Sequence, residues 1–145
     1  SEHFSRKAQA VDHQYITAKL ASQGKTLKVI VAEDDRASYL VLSMLLEKLG
    51  AAVIHTTTGP ETTEQMRANP DTDIVMMDIN LPETDGYETS RQIRTFNDKV
   101  FIIAQTAYAL EGDKGKALEA GVNTYVSKPI QKQALLEAIN LAIPE

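Results

Sequence analysis

The chain contains no cysteine. That excludes a disulfide framework, a cysteine zinc site and thiol chemistry. Long apolar runs are missing too: nothing approaches 18 residues, and no charged-then-apolar segment opens the sequence, so neither a spanning helix nor a signal segment is expected. Positive charge is scarce in the body. Residues 1–26 carry four Lys/Arg against two Asp/Glu, whereas residues 27–145 carry eleven against eighteen. An acidic body without a basic stripe argues against direct nucleic-acid binding. There is no internal repeat and no low-complexity tract. What remains is 145 residues, 43% of them hydrophobic, enough for a single core.

From about residue 27 onward the pattern alternates. "LKVIVA" (27–32) is a short β-branched run, and "RASYLVLSMLLEKLG" (36–50) places Leu40, Val41, Met44 and Leu45 at helical spacing before a glycine stop. "AAVIHTT" reads as a second strand and residues 59–70 as a polar helix closed by Asn69-Pro70. Ile74 to Asp78 form a third strand, followed by a helix over about 86–96. "VFIIAQ" (100–105), a helix over 111–121, "VNTYVS" (122–127) and a helix over 131–143 complete five βα units. Strands alternating with short helices imply a parallel sheet covered on both faces.

Residues 1–26 fall outside this alternation and are read as a linker or N-terminal arm. Phe4, Ala8, Val11, Tyr15 and Ala18 recur at spacings of 4, 3, 4 and 3. That spacing could line one helix face, packing on a partner or on the next domain.

In a sheet of this kind, ligands bind at the carboxyl ends of the strands. The first strand ends in Glu33-Asp34-Asp35, the third in Asp78, the fourth in Thr106 and the fifth in Ser127-Lys128-Pro129. Converging carboxylates raise one another's pKa unless a cation lies among them. Hard oxygen donors supplied by few side chains suit Mg²⁺, which keeps several waters. Lys128 adds a mobile positive charge and Thr106 a hydroxyl, which together meet the needs of an incoming phosphoryl group. Asp78 is then the nucleophile, forming an aspartyl phosphate. Each feature alone has a plainer reading: Asp35 fits a helix N-cap, and a strand-end Asp before a Pro/Gly loop fits an Asx turn. Convergence of four features from four separate units at one edge favours the site.

The motifs "VIVAEDD", "DIVMMDINLPETDGYE", "IIAQTAYA" and "YVSKPI" separate Asp34, Asp78, Thr106 and Lys128 by 44, 28 and 22 residues. In this order and spacing, residues 27–145 resemble a response-regulator receiver domain of two-component signalling. The resemblance implies a flavodoxin-like, doubly wound α/β fold with a five-stranded parallel sheet. It also implies Mg²⁺-dependent transfer of a phosphoryl group to Asp78 from a histidine kinase or a histidine phosphotransfer domain. Asp34, Asp78 and the backbone carbonyl of Asn80 would hold the metal, with Glu33 acting through water. Lys128 would bond the phosphoryl group, and the Lys128–Pro129 peptide would be cis. Thr106 and Tyr125 would form the switch pair, and Gly112 and Gly115 would soften the helix that the switch moves.

Thr84 stands where the family commonly has methionine. Asn80 and the bulky Tyr108 would flank the path of attacking water and slow dephosphorylation. The "AEDD", "GDKGKALEAG" and "KPI" runs are most similar to receivers at the end of hybrid histidine kinases. A cytoplasmic location is expected, free-standing or as the cytoplasmic part of a membrane-anchored sensor kinase, without membrane contact by this chain. A homodimer is left open. His3, His13 and His55 lack the flanking residues of a kinase phosphohistidine motif and are read as surface or strand histidines. Two other classes compete. A docking module without phosphorylation would normally have lost an acid, the Thr or the Lys. A haloacid-dehalogenase-type phosphohydrolase would carry an acid at position 80, where Asn80 stands.

Overall fold

The computed structural model describes residues 10–107 and 111–145. The five βα units are present at the expected places: β1 (Lys28–Ala32), α2 (Arg36–Lys48), β2 (Ala52–Thr56), α3 (Gly59–Ala68), β3 (Ile74–Asp78), α4 (Gly86–Arg94), β4 (Phe101–Thr106), α5 (Glu111–Glu119), β5 (Thr124–Ser127) and α6 (Lys132–Ala142). They follow a further helix, α1 (His13–Ser22). The strands run parallel in the order β2-β1-β3-β4-β5. This is a doubly wound sheet: the first crossover runs from β1 to β2, and the second steps back past β1 to β3.

Helices cover both faces, so central strands lack the polar alternation of a half-exposed sheet. All five residues of β3 are buried, as are four of five in β1. Even numbers in β3 (Ile74, Met76) join Val29, Val31, Ile103 and Val126 under α2 and α6, with Leu42, Leu46, Leu135 and Ile139 above them. Odd numbers (Val75, Met77) join Ile30, Ile102 and Ala104 on the other face, closed by Met66, Ile93 and Ala117.

Local chemistry sets the helix starts. The side chains of Asp12, Asp35, Thr58 and Asp85 each accept the backbone N–H three residues on, capping α1, α2, α3 and α4. After α2 the chain turns at Gly50, whose φ of +76° lies in the left-handed region and allows Ala51 N–H to reach back to the Leu46 carbonyl at 3.1 Å.

Two apolar stripes differ from expectation. In α2 the spaced set Leu40, Val41 and Met44 is 44%, 52% and 59% exposed, while Leu42, Leu46 and, beyond the helix end, Leu49 are buried. The helix is apolar on both sides, and the inward stripe was hidden by the outward one. In α1, Ile16 and Leu20 are buried against the α2–α6 face, with Val11 and Tyr15 partly so, while Ala18 is exposed. Phe4 and Ala8 lie outside the described residues. The segment is tied down by Gln133 Nε2 donating to the Val11 carbonyl at 3.0 Å, Lys19 Nζ to Asn140 Oδ1 at 3.0 Å and Gln23 Nε2 to the Pro144 carbonyl at 2.6 Å.

Candidate functional site

The carboxyl ends of β1, β3, β4 and β5 meet at one edge. The register pairs Ala32 with Met77 and Asp78 with Gln105, so Glu33, one step past β1, stands level with Asp78 on the same face. Glu33 is fully buried and Asp78 is 3% exposed, whereas Asp34 is open to solvent. One oxygen from each of these three carboxylates lies within 4.8 Å of the others.

Lys128 answers two of the three charges. Its Nζ donates to Glu33 Oε1 at 3.0 Å and to Asp78 Oδ2 at 3.1 Å. Asp78 Oδ1 accepts from the Asn80 backbone N–H at 3.0 Å, and Glu33 Oε2 from that of Asp35 at 3.1 Å. Burial, foremost, and a hydrogen bond with Asp78 push the Glu33 carboxyl up to about 7, against the opposing pull of Lys128 and the Asp35 N–H. Burial lowers the Lys128 pKa, but its hydrogen bonds and charge contacts with Glu33 and Asp78 outweigh that, leaving it above the ordinary lysine value. The pocket therefore carries more negative charge than one ammonium offsets. Three hard oxygen donors, one exposed and open to water, fit a small divalent cation.

Asp35 does something else. Its Oδ2 accepts from Ser38 N–H at 2.9 Å and Ser38 Oγ at 2.7 Å, a helix cap that holds its carboxyl below the usual range.

Thr106 is buried at the end of β4, and its carbonyl accepts from the Lys128 N–H at 2.8 Å. Thr106 pairs with Ser127 and Ala104 with Tyr125, so the Thr106 and Tyr125 side chains project from one face of the sheet. Tyr125 is half-buried and packs on the core of that face. Asn80 is exposed, and the Lys128–Pro129 peptide is cis. Tyr108 lies outside the described residues.

Three contributors carried no usable signal in the sequence. Gly86 permits the close packing of α4 under Asp78: a Cβ there would sit 2.4 Å from the Asp78 carbonyl oxygen. His55, on the edge strand β2, stacks on Tyr39 with ring centroids 3.6 Å apart, and its Nε2 lies 2.8 Å from the Glu33 carbonyl. Gln105 is fully buried beside Asp78. Beside the site, Ala37, Ser38, Val41, Lys128, Pro129 and Ile130 line an open cavity of about 530 Å³.

Residues 29–140 match the family model of the response regulator receiver domain. The chain belongs to that family and is a receiver domain of two-component signalling. It is 36% identical over 124 residues to hybrid signal transduction histidine kinase I of Dictyostelium discoideum, an alignment covering 80% of this chain but 7% of that protein. Among solved structures it resembles the receiver domain of a sensor histidine kinase from Pseudomonas aeruginosa PAO1, which has a magnesium ion coordinated in its active-site cleft. The TM-score is 0.73 at 31% identity, covering 81% of this chain and 98% of that one. It also resembles the receiver domain of a Saccharomyces cerevisiae response regulator, co-crystallised with the histidine phosphotransfer protein upstream of it. There the TM-score is 0.77 at 28% identity, covering 81% and 89%. Among the described residues no helix is long and apolar enough to cross a membrane.

Proposed function

We propose that Asp78 accepts a phosphoryl group from the phosphohistidine of a histidine kinase or histidine phosphotransfer domain. The observation that carries this reading is the buried Asp78 carboxylate at a strand end, with Lys128 Nζ 3.1 Å away and Glu33 and Asp34 beside it. A carboxylate oxygen of Asp78 forms the new bond to phosphorus. The P–N bond to the donor histidine breaks and its electron pair stays on the imidazole, which takes up a proton. Lys128 is placed to follow the transferred group, since its ammonium already bridges the acceptor and Glu33. The Asn80 N–H fixes the rotation of the acceptor carboxylate. Mg²⁺ held by Asp34, Asp78 and the Asn80 carbonyl, with Glu33 through water, would neutralise the phosphoryl oxygens.

Thr106 is the natural reporter of phosphorylation, because its backbone is tied to Lys128 and its side chain shares a sheet face with Tyr125. Movement of the Thr106 hydroxyl toward the phosphoryl group would free space for the Tyr125 ring. Asn80, exposed next to the acceptor, and Tyr108 are assigned to shielding the acyl phosphate from water.

Exposed apolar residues beside the site support a helical protein partner as donor. Val41 on α2 lines the cavity formed with Pro129 and Ile130, Leu40 and Met44 of the same helix are exposed, and such a patch next to a reacting group suits transient docking. Leu118 and Leu141, 60% and 67% exposed, give a second apolar surface near Tyr125 where a homodimer would form. The likeness to a receiver co-crystallised with a histidine phosphotransfer protein supports a role in a phosphorelay, and the Dictyostelium match supports a hybrid kinase as the parent protein.

The test is transfer from a phosphorylated histidine phosphotransfer domain. Label should move to the wild-type chain and not to Asp78→Asn, and Val41→Asp with Met44→Asp should slow that transfer while leaving labelling by acetyl phosphate unchanged. Label remaining on histidine with the wild-type acceptor would overturn the reading.

A further inference from the structure

Strand β4 lies between β3 and β5. Yet the Lys128 ammonium, at the end of β5, reaches Asp78 on β3 and Glu33 beyond β1. Its side chain therefore passes over β4. The residue under that path is Gln105, which pairs with Asp78 on one side and Val126 on the other. Alternation puts its side chain on the same face as both.

Gln105 is fully buried, and neither Oε1 nor Nε2 has a hydrogen-bond partner among the described residues. Packing alone does not account for a carboxamide here. Its same-face neighbours Ile103 and Val126 are apolar, and an apolar side chain of equal length would fill the place without desolvating two polar atoms. The ammonium has three hydrogens, and its contacts with Glu33 and Asp78 use two.

We infer that Gln105 is a positioning residue for Lys128. Its carboxamide oxygen accepts the third ammonium hydrogen across one bridging water. It holds the charge above Asp78 when the carboxylate becomes an acyl phosphate and loses its own charge. This rests on the phosphoacceptor reading for its consequence in phosphotransfer, and not for the contact itself.

Gln105→Met keeps the length and removes both polar atoms. The variant should be at least as stable as wild type, yet take up phosphate from acetyl phosphate about fivefold or more slowly. In protein labelled with ¹⁵N-lysine, the Lys128 ammonium resonance should shift or broaden in Gln105→Met and stay in place in the packing control Ile103→Val. A labelling rate within about twofold of wild type, or an unmoved Lys128 resonance, overturns the inference. If Gln105→Met is less stable than wild type, the resonance alone decides. Failure of the wild-type protein to take up phosphate would instead strike the phosphoacceptor reading, and the resonance, recorded without any phosphodonor, would still test the contact.

Discussion

Lys128 Nζ lies 3.1 Å from Asp78 Oδ2 although a whole strand separates the two backbones. The same nitrogen is 3.0 Å from Glu33 Oε1. One ammonium thus answers two buried carboxylates, and a third, Asp34, stands beside them in solvent. Charge is left over, and the phosphotransfer account turns on what compensates it.

Glu33 should make metal binding depend on pH. Its carboxyl is raised from 4.5 to about 7, by burial first and Asp78 second. The unfolded chain is then the stronger acid at this position. The group's contribution to stability is fully present below about pH 4.5 and is lost as pH rises through about 7. A cation binds the deprotonated form and reverses that trend. Mg²⁺ should raise Tm more at about pH 8 than at about pH 6, and its affinity should fall by up to about tenfold per unit below pH 7. Calorimetric titration checks this; an affinity flat across that range would contradict it.

Neighbouring acids should separate cleanly by role. Asp34→Asn removes an exposed member of the carboxylate cluster. It should weaken Mg²⁺ binding on the order of tenfold or more while leaving the urea midpoint close to wild type. Asp35→Ala removes the α2 cap and should do the reverse, lowering the midpoint with metal affinity preserved. Parallel urea melts and Mg²⁺ titrations of the two variants decide.

Gly86 and Gly115 should respond to alanine in opposite directions. At Gly86 a Cβ meets the Asp78 carbonyl oxygen at 2.4 Å and Ile79 Cα at 2.8 Å. Backbone cannot move aside as a side chain can, so a loss of about 1–3 kcal/mol and impaired phosphate uptake are expected. At Gly115, in α5, a Cβ meets nothing within 4 Å, and alanine should add about 0.8–1.0 kcal/mol of helix stability. Hydrogen exchange should show α5 less protected than α6 in wild type, and more protected in Gly115→Ala.

Helix α1 should behave as part of the folded unit. Ile16 and Leu20 are 0% and 4% exposed, so Ile16→Ala or Leu20→Ala should cost about 2–5 kcal/mol. Ala18→Ser, on the outer side, should stay within about 0.5 kcal/mol. Equal midpoints for Ile16→Ala and Ala18→Ser would show the helix to be a detachable arm.

The strands were legible because a sheet covered on both faces leaves short continuous apolar runs, as in "IVMMD", bounded by charge. The candidate site was legible because parallel strands bring their carboxyl ends together, which puts Glu33, Asp34, Asp78, Thr106 and Lys128 at one edge. Helix faces were harder. In α2, periodicity cannot tell an inward stripe from an outward one when both are apolar, and Leu40 and Met44 turned out to face solvent. In α1 the chosen stripe ran through Ala18 and passed over Ile16 and Leu20, since the helix meets a seam between two other helices that the sequence does not announce. Gln105 and His55 are brought beside the site by the registers of β3, β4 and β2, and pairing across strands is invisible in a linear pattern.

The most direct test of the central claim is intact-mass spectrometry after incubation with acetyl phosphate, with and without Mg²⁺, beside Asp78→Asn. Wild type should acquire a single phosphate adduct that requires Mg²⁺ and is absent from the variant. An adduct of equal yield on Asp78→Asn, or none on wild type under conditions where Mg²⁺ binding is measured, would contradict it.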